Sequence, residues 1–498
     1  MAARPAEAST SRPRYPSRLG PVALHRLVAV GLPLLLSLGA FALYLRTAAR
    51  TISWGNGGED GPELSAAAAV LGVAHPPGYP LYMLLGHLFA QLPVGEVAFR
   101  VGLLSAVAAA VGVALAAGLS ALLAAPGTQN PSPIPSAVAA LAAGGVLATS
   151  PLYWSQATIP EVYTLHAALV LAALLLLASW RPYRDRLVVA VALLFGIGLG
   201  NHPTLALLAL PAAAFVVARE PATLRRSTAL LAPVAFAAGL SIYLYLPLRA
   251  AADPPLNWGD PSDLPRFLAH VTASGYRPYW GGRPWSEVAA RIPAMAQLLV
   301  AQLTWPGLVL ALLGLGELAR RSPALFRMLL AYLLLTLGFT LFYNAENGQV
   351  YLLPAVLVLA VSLGVGAAHV ASLGVGTPHP ASPGVGTPHP AASWPGTLIA
   401  LVAAIAIPAV QFWTCFAPLD LSSDHAAASY ARDTLSGAAP NALLITDRDE
   451  QTFVLWYAQV VEGRRPDVVV VDRRLLATDW FRSQLQQRHP GVLERVSP

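Results

Sequence analysis

The chain of 498 residues contains no lysine, a single cysteine and few charges of either sign. Cys415 alone cannot close an intrachain disulfide or build a cysteine-based zinc cluster, so sulfur says nothing about compartment. All 31 basic residues are arginine, which together with heavy alanine usage reads as codon bias, not as a nucleic-acid surface. Charged residues make up 11% of the chain, against roughly 25% in average soluble domains. With 56% hydrophobic residues and a mean hydropathy of +0.57, the chain is too apolar to be one soluble core.

What it has instead is a series of apolar runs. Roughly 20 apolar residues cross a bilayer as a helix. The first run, 27–45, follows Arg12, Arg14, Arg18 and Arg26 and exceeds the roughly 7 to 15 residues of a secretory core, which predicts a retained anchor. Ten further spans are expected at 98–124, 136–154, 162–180, 187–199, 204–218, 227–246, 292–315, 325–343, 351–370 and 396–412. The fold class is therefore an all-α polytopic membrane protein with about eleven transmembrane helices. The spans at 187–199 and 204–218 are short and flank Gly200-Asn201-His202-Pro203, as a tight pair or one broken helix.

Arginine orients the bundle, since cytoplasmic loops concentrate it. The short Arg-dense loops 181–186, 219–226 and 320–327 fall on the same side as residues 1–26, the cytoplasmic N-terminus. Residues 46–97, 155–161, 200–203, 247–291, 344–350 and the tail 416–498 then face outward, and they hold nearly all the unusual polar residues. One inner loop, 362–391, is three near-copies of SLGVGTPHPA, expected as a flexible linker. Its His369, His379 and His389 recur every ten residues, which leaves metal binding as an alternative. The tail reads as β-α-β, with strands at 442–446 and 467–471 around a helix at 450–462. Asp447 and Asp472 end those strands, where α/β sheets often hold ligands, although no glycine-rich phosphate loop accompanies them and a small docking or acceptor-facing domain is the preferred reading.

The first outer loop is the densest in chemistry. Asp60 and Glu63 stand three apart before an Ala-rich helical run, and His75-Pro76-Pro77-Gly78-Tyr79-Pro80 turns the chain abruptly. The carboxylates alone also fit a capping box, with Pro62 tolerated in the first turn. Their company adds weight: Glu161 and Tyr163 follow Trp154-Ser155-Gln156, His202 interrupts the short pair, and a later loop carries Arg249, Asp253, Asn257, Trp258 and Asp260. These come from separate outward turns, and a single pocket at the membrane boundary is expected to collect them. Taken singly, His202 is a turn residue, Trp258 an interfacial anchor and Arg249 a snorkelling cation.

Residues 57–63 with Leu71-Gly72-Val73-Ala74-His75-Pro76-Pro77-Gly78-Tyr79-Pro80-Leu81 closely resemble the signature of a GT-C-type membrane glycosyltransferase family long catalogued as a bacterial domain of unknown function. Its eukaryotic relatives include the transmembrane protein O-mannosyltransferase of plexin-type receptors. The likeness continues at 154–163, 198–202, 246–249, 257–260, 449–453 and 465–468, nearly the whole chain. This sequence departs by Pro62 and by the decamer insert.

The resemblance implies a membrane domain over 27–415, with 46–97 as the catalytic outer loop and a small α/β tail. It implies transfer of a mannose-like sugar from a polyprenyl-phosphate donor to a hydroxyl, a protein Ser/Thr or an envelope glycan, at the outer face of a bacterial plasma membrane. Asp60 is the expected base, with Glu63 second. His202 and Arg249 are candidates for the leaving phosphate. His75, Tyr79, Glu161, Tyr163, Asn257, Trp258 and Asp260 are expected to contact donor or acceptor. No cofactor is certain, and a divalent cation shared by Asp60 and Glu63 is an open alternative. A transporter or flippase of a lipid-linked precursor is the other functional class, although the assigned spans carry almost no ionisable residues at their centres.

Overall fold

The computed structural model describes residues 27–125, 133–181, 184–281, 284–345, 347–373 and 394–496. All eleven apolar runs are helical. Among the described residues, seven helices are long and apolar enough to cross a membrane: Val28–Thr47, Val97–Ala124, Thr228–Ala250, Trp285–Arg321, Pro323–Phe342, Gly348–Ser372 and Pro395–Leu419. An eighth candidate is the pair Pro133–Thr149 and Pro151–Ala157, bent by 64°. Tyr163–Ser179, Arg186–Leu199 and Pro203–Arg219 are shorter than a full span, so length supports seven or eight of the eleven expected crossings.

The bend corrects the expected continuous helix at 136–154, and its cause is local. Pro151 has no N–H to continue the ladder, and Ser150 before it is extended, with ψ of 122°. Gln302 satisfies the groups freed there, its Oε1 accepting from Ser150 Oγ at 2.7 Å and from the Leu152 N–H at 2.8 Å.

Helix Leu353–Ser372 is the axis of the bundle, with 94% of its spanning window buried. Small residues let its neighbours approach. A Cβ on Gly366 would stand 1.9 Å from the Leu310 carbonyl oxygen, one on Gly314 would stand 1.8 Å from that of Ser362, and one on Gly364 would stand 2.2 Å from Ser120 Oγ. This overturns part of the linker reading. Ser362 to Ala371, the first decamer copy, is buried helix whose glycines are contact points between helices, because the motif happens to space small residues along one buried face. His369 lies 3.6 Å from Glu317. Residues 374–393, with His379 and His389, and residues 1–26 lie outside the described residues.

Above the bundle sits a second core built by helices Gly61–Val70 and Pro80–Ala90, the outer turns and the tail. The tail is β-α-β as expected: β1 (Leu443–Thr446), helix Asp449–Val460 and β2 (Val469–Asp472), with the strands parallel from Leu443↔Val469 to Thr446↔Asp472. Two strands cannot bury a helix face by themselves. The helix packs instead on Gly61–Val70, Tyr457 Oη accepts the Ala98 N–H at 3.0 Å, and Trp54 Nε1 donates to the Glu450 carbonyl at 3.0 Å.

Gly366→Leu or Gly314→Leu is expected to destabilise the bundle by at least the roughly 1–3 kcal/mol of an overpacked core. Gly316→Leu, where an added Cβ meets nothing within 4 Å, serves as the control. Thermal unfolding and size-exclusion profiles in detergent check this difference.

Candidate active site

Between the bundle and the tail lies a cleft of about 450 Å³, lined by residues from the first outer loop, three later outer turns and the tail. Its centre is built by the histidine turn. Gly78 takes φ of +86° and Tyr79 +44°, and the Gly78 N–H closes the turn on the His75 carbonyl at 2.8 Å. A Cβ on Gly78 would stand 2.6 Å from Leu246 Cδ2, so space and dihedral both demand glycine.

His75 is gripped on both sides. Glu63, 1% exposed, accepts the His75 backbone N–H through Oε1 at 2.8 Å and meets ring Nδ1 through Oε2 at 3.0 Å. On the other edge of the ring, Nε2 stands 3.2 Å from Tyr79 Oη and 3.8 Å from Asp60 Oδ2. Burial alone favours neutral imidazole, but Asp60, Glu63 and Glu161 outweigh it and push His75 up to about 10. At neutral pH the ring is therefore a cation, with Nδ1–H donating to Glu63 and Nε2–H turned toward Tyr79 and Asp60.

Asp60 precedes helix Gly61–Val70 without capping it, since its side chain makes no cap hydrogen bond and Glu63 is committed to His75. The capping-box reading is thus set aside. The Asp60 carboxylate lines the cleft, 43% exposed, where enclosure raises its pKa, His75 lowers it and Glu63 raises it, for a net rise. Glu161 is buried, with its main chain tied to Ser105 Oγ on both sides, and burial followed by Asp60 drives its pKa well up.

Of the residues singled out in the sequence, Asp60, His75, Tyr79, Tyr163 and Trp258 meet in the cleft. Glu63 stands behind His75. His202 stands behind the aromatic wall, its ring centroid 6.3 Å from Tyr79, 5.5 Å from Tyr163 and 5.9 Å from Tyr351. Arg249 does not reach the cleft: its Nε donates to the Leu71 carbonyl at 2.7 Å and its Nη2 faces that of Val70, completing the end of helix Gly61–Val70. Asn257 is buried in a loop contact, its carbonyl accepting Gln484 Nε2 at 2.7 Å, and Asp260 pairs with Arg266. In the tail, Asp447 pairs with Arg473 at the surface, while buried Asp472 accepts Thr452 Oγ1 at 2.9 Å and the Arg474 N–H at 2.8 Å.

Residues not foreseen complete the walls. Tyr276, Tyr343 and Tyr351 extend the aromatic surface, and the tail contributes Arg448, Asp449 and Arg474, the last held by Asp449 and Asp472. Asp449 lies in the motif at 449–453, Tyr276 in the outer segment 247–291, and Tyr343 and Tyr351 flank the outer segment 344–350, while no sequence pattern marks Arg474. The shared-cation reading does not fit this arrangement, because both Glu63 oxygens are directed at His75 and the imidazole stands between the carboxylates. Among the described residues no group of three or more His, Cys, Asp or Glu could hold a metal ion.

Residues 60–226 match the model of the protein O-mannosyl-transferase TMEM260 N-terminal domain, and 427–490 match TMEM260-associated domain 2. Protein O-mannosyl-transferase TMEM260 of Mus musculus is 27% identical over 480 residues, covering 91% of this chain and 64% of that protein. The Dictyostelium discoideum protein of the same name is 22% identical over 492 residues, covering 90% and 58%. The chain thus spans less than two thirds of the length of these relatives. Among solved structures, ArnT from Cupriavidus metallidurans bound to undecaprenyl phosphate superposes with a TM-score of 0.56 at 15% identity, covering 91% of each chain. The Archaeoglobus fulgidus oligosaccharyltransferase gives 0.51 at 12% identity, covering 89% of this chain and 65% of that one. These likenesses establish the GT-C fold.

Glu63→Gln is expected to bring the His75 pKa down toward its ordinary value. The raised pKa makes the grip a stabilising one that is fully present below about pH 6.5 and lost as pH rises through about 10. Unfolding temperature against pH checks it: the wild type should fall on an alkaline limb near pH 10, and Glu63→Gln should show a weaker fall at lower pH.

Proposed function

We propose that this chain, which has the GT-C fold and resembles the TMEM260 proteins over 91% of its length, moves a mannose-like sugar from a polyprenyl-phosphate donor to a hydroxyl acceptor, a protein Ser or Thr, at the outward face of the membrane. The observation that carries this reading is Asp60, a carboxylate with a raised pKa, standing free of any cap in a cleft beside a fixed cation. A base works best with a pKa near the working pH. Asp60 takes the proton of the acceptor hydroxyl as its oxygen bonds to the anomeric carbon and the bond to the polyprenyl phosphate breaks.

His75, a cation beside Asp60, keeps enough of the carboxylate ionised for that task. The aromatic wall of Tyr79, Tyr163, Tyr351 and Trp258 suits the apolar faces of a sugar ring. Arg448 and Arg474 are the arginines that line the cleft, and we assign them to the charge that grows on the leaving phosphate. A lipid-linked donor is supported by the ArnT neighbour holding undecaprenyl phosphate, and a protein acceptor by the relatives' names. The membrane bundle brings the lipid-borne donor to a cleft fed from outside. We place the N-terminus in the cytoplasm and the tail outside, from the arginine-rich loops. No step runs through a metal ion.

Asp60→Asn is expected to lower transfer at least about 100-fold, the lower bound of a general base's contribution, with unfolding temperature preserved. Purified protein, radiolabelled polyprenyl-phosphate mannose and a Ser/Thr-rich peptide provide the assay; undiminished transfer would remove Asp60 as the base. Transfer against pH should rise through an acid limb above the ordinary carboxylate range, set by Asp60, and fall near pH 10 as His75 loses its proton. A profile flat from pH 4 to 7 would contradict the raised Asp60 value.

A further inference from the structure

At the membrane face opposite the cleft, we propose a second site, one that holds an anionic phospholipid. Helices Tyr163–Ser179 and Pro203–Arg219 start near the cleft, at Tyr163 and His202, and their far ends wall two cavities. One, of about 460 Å³, is an apolar slot between these helices and Arg186–Leu199 and Thr228–Leu240. Phe195, Ala212, Val216 and Phe236 are among its walls. The other, of about 610 Å³, is lined by Arg181, Arg219 and Arg321 together with Leu122, Leu123 and Leu325. The two share helix ends: Leu177 and Val216 face the slot, and Ala178 and Arg219 face the arginine cavity.

The slot carries a polar demand that its own residues leave unmet. Thr223 and Thr228, each 2% exposed, line it, and the Oγ1 of each is buried with no hydrogen-bond partner. A buried hydroxyl without a partner is costly, and two in one apolar slot point to a ligand that brings oxygen acceptors next to hydrocarbon. The ester region of a phospholipid has that composition.

The neighbouring cavity fits the head group. Arg181 donates only to the carbonyls of Ala178 and Trp180, and Arg219 stacks over Phe215 at 5.7 Å; neither has a carboxylate partner among the described residues. Arg321 is paired with Glu317, and the nearby Asp185 and Glu220 are engaged by Arg226. Two uncompensated guanidinium groups at a membrane face attract phosphate. The occupant is therefore a lipid with an anionic head, its chain in the slot, its ester oxygens at Thr223 and Thr228 and its phosphate at Arg181 and Arg219.

Native mass spectrometry of the purified full chain tests this, using phosphatidylglycerol and phosphatidylcholine of the same acyl chains as probes. Phosphatidylglycerol should be retained in preference to phosphatidylcholine. Retention should fall about fivefold for each of Arg181→Gln and Arg219→Gln. The double variant Thr223→Val with Thr228→Val should lower retention about five- to tenfold while leaving lipid-free unfolding temperature unchanged or higher, since it removes unpartnered hydroxyls. That pairing of opposite effects separates a lipid contact from a structural role. Equal retention of both lipids, variants that hold phosphatidylglycerol as well as wild type, or full displacement by millimolar inorganic phosphate, which would mark a site for free phosphate, would each overturn the proposal.

Discussion

The two-sided grip on His75 is the interaction on which the outer half of the molecule depends. Glu63 fixes the backbone and one edge of the ring, and the other edge is left to face Tyr79 and Asp60. A carboxylate buried like Glu63 is tolerable only when paired. Its partner gains a persistent positive charge, and that charge opposes the burial that raises the pKa of Asp60 in the cleft. The spacing follows from this: twelve residues separate Glu63 from His75, enough for one helix and a return.

The bundle beneath serves that grip by fixing where the outer turns emerge. Glycines at 314, 364 and 366 bring three helices against the buried axis Leu353–Ser372, and Tyr351, just before that axis, stands in the cleft wall. Arg249, which closes the end of helix Gly61–Val70, and His270, which faces the Ala74 carbonyl at 3.1 Å, tie the long outer loop to the histidine turn. The tail then roofs the cleft, because its two strands need the outer layer as a packing surface.

Much of this was legible in the sequence, for reasons that can be named. The helical runs, the β-α-β tail and the carboxylate–histidine loop each carry a local pattern that survives folding. Arg249 was misread because a cation near a phosphate and a cation at a helix end look alike in one dimension. The decamer was misread because glycine spells flexibility in water but close approach between helices in a bilayer. The bend at Ser150 is marked in the sequence by Thr149-Ser150-Pro151, but apolar residues on both sides make 136–154 read as one span. The tail's share of the cleft, Arg448, Asp449 and Arg474, depends on contacts more than 300 residues apart, such as Trp54 with Glu450, which no local pattern encodes.

The central claim is that Glu63 acts through His75 on the chemistry of the cleft. A double-mutant cycle on the rate of mannose transfer, with Glu63→Gln, His75→Gln and the pair, measures this most directly. The account predicts strong non-additivity, with the double variant no slower than His75→Gln alone. Independent, additive losses from the two substitutions would contradict it.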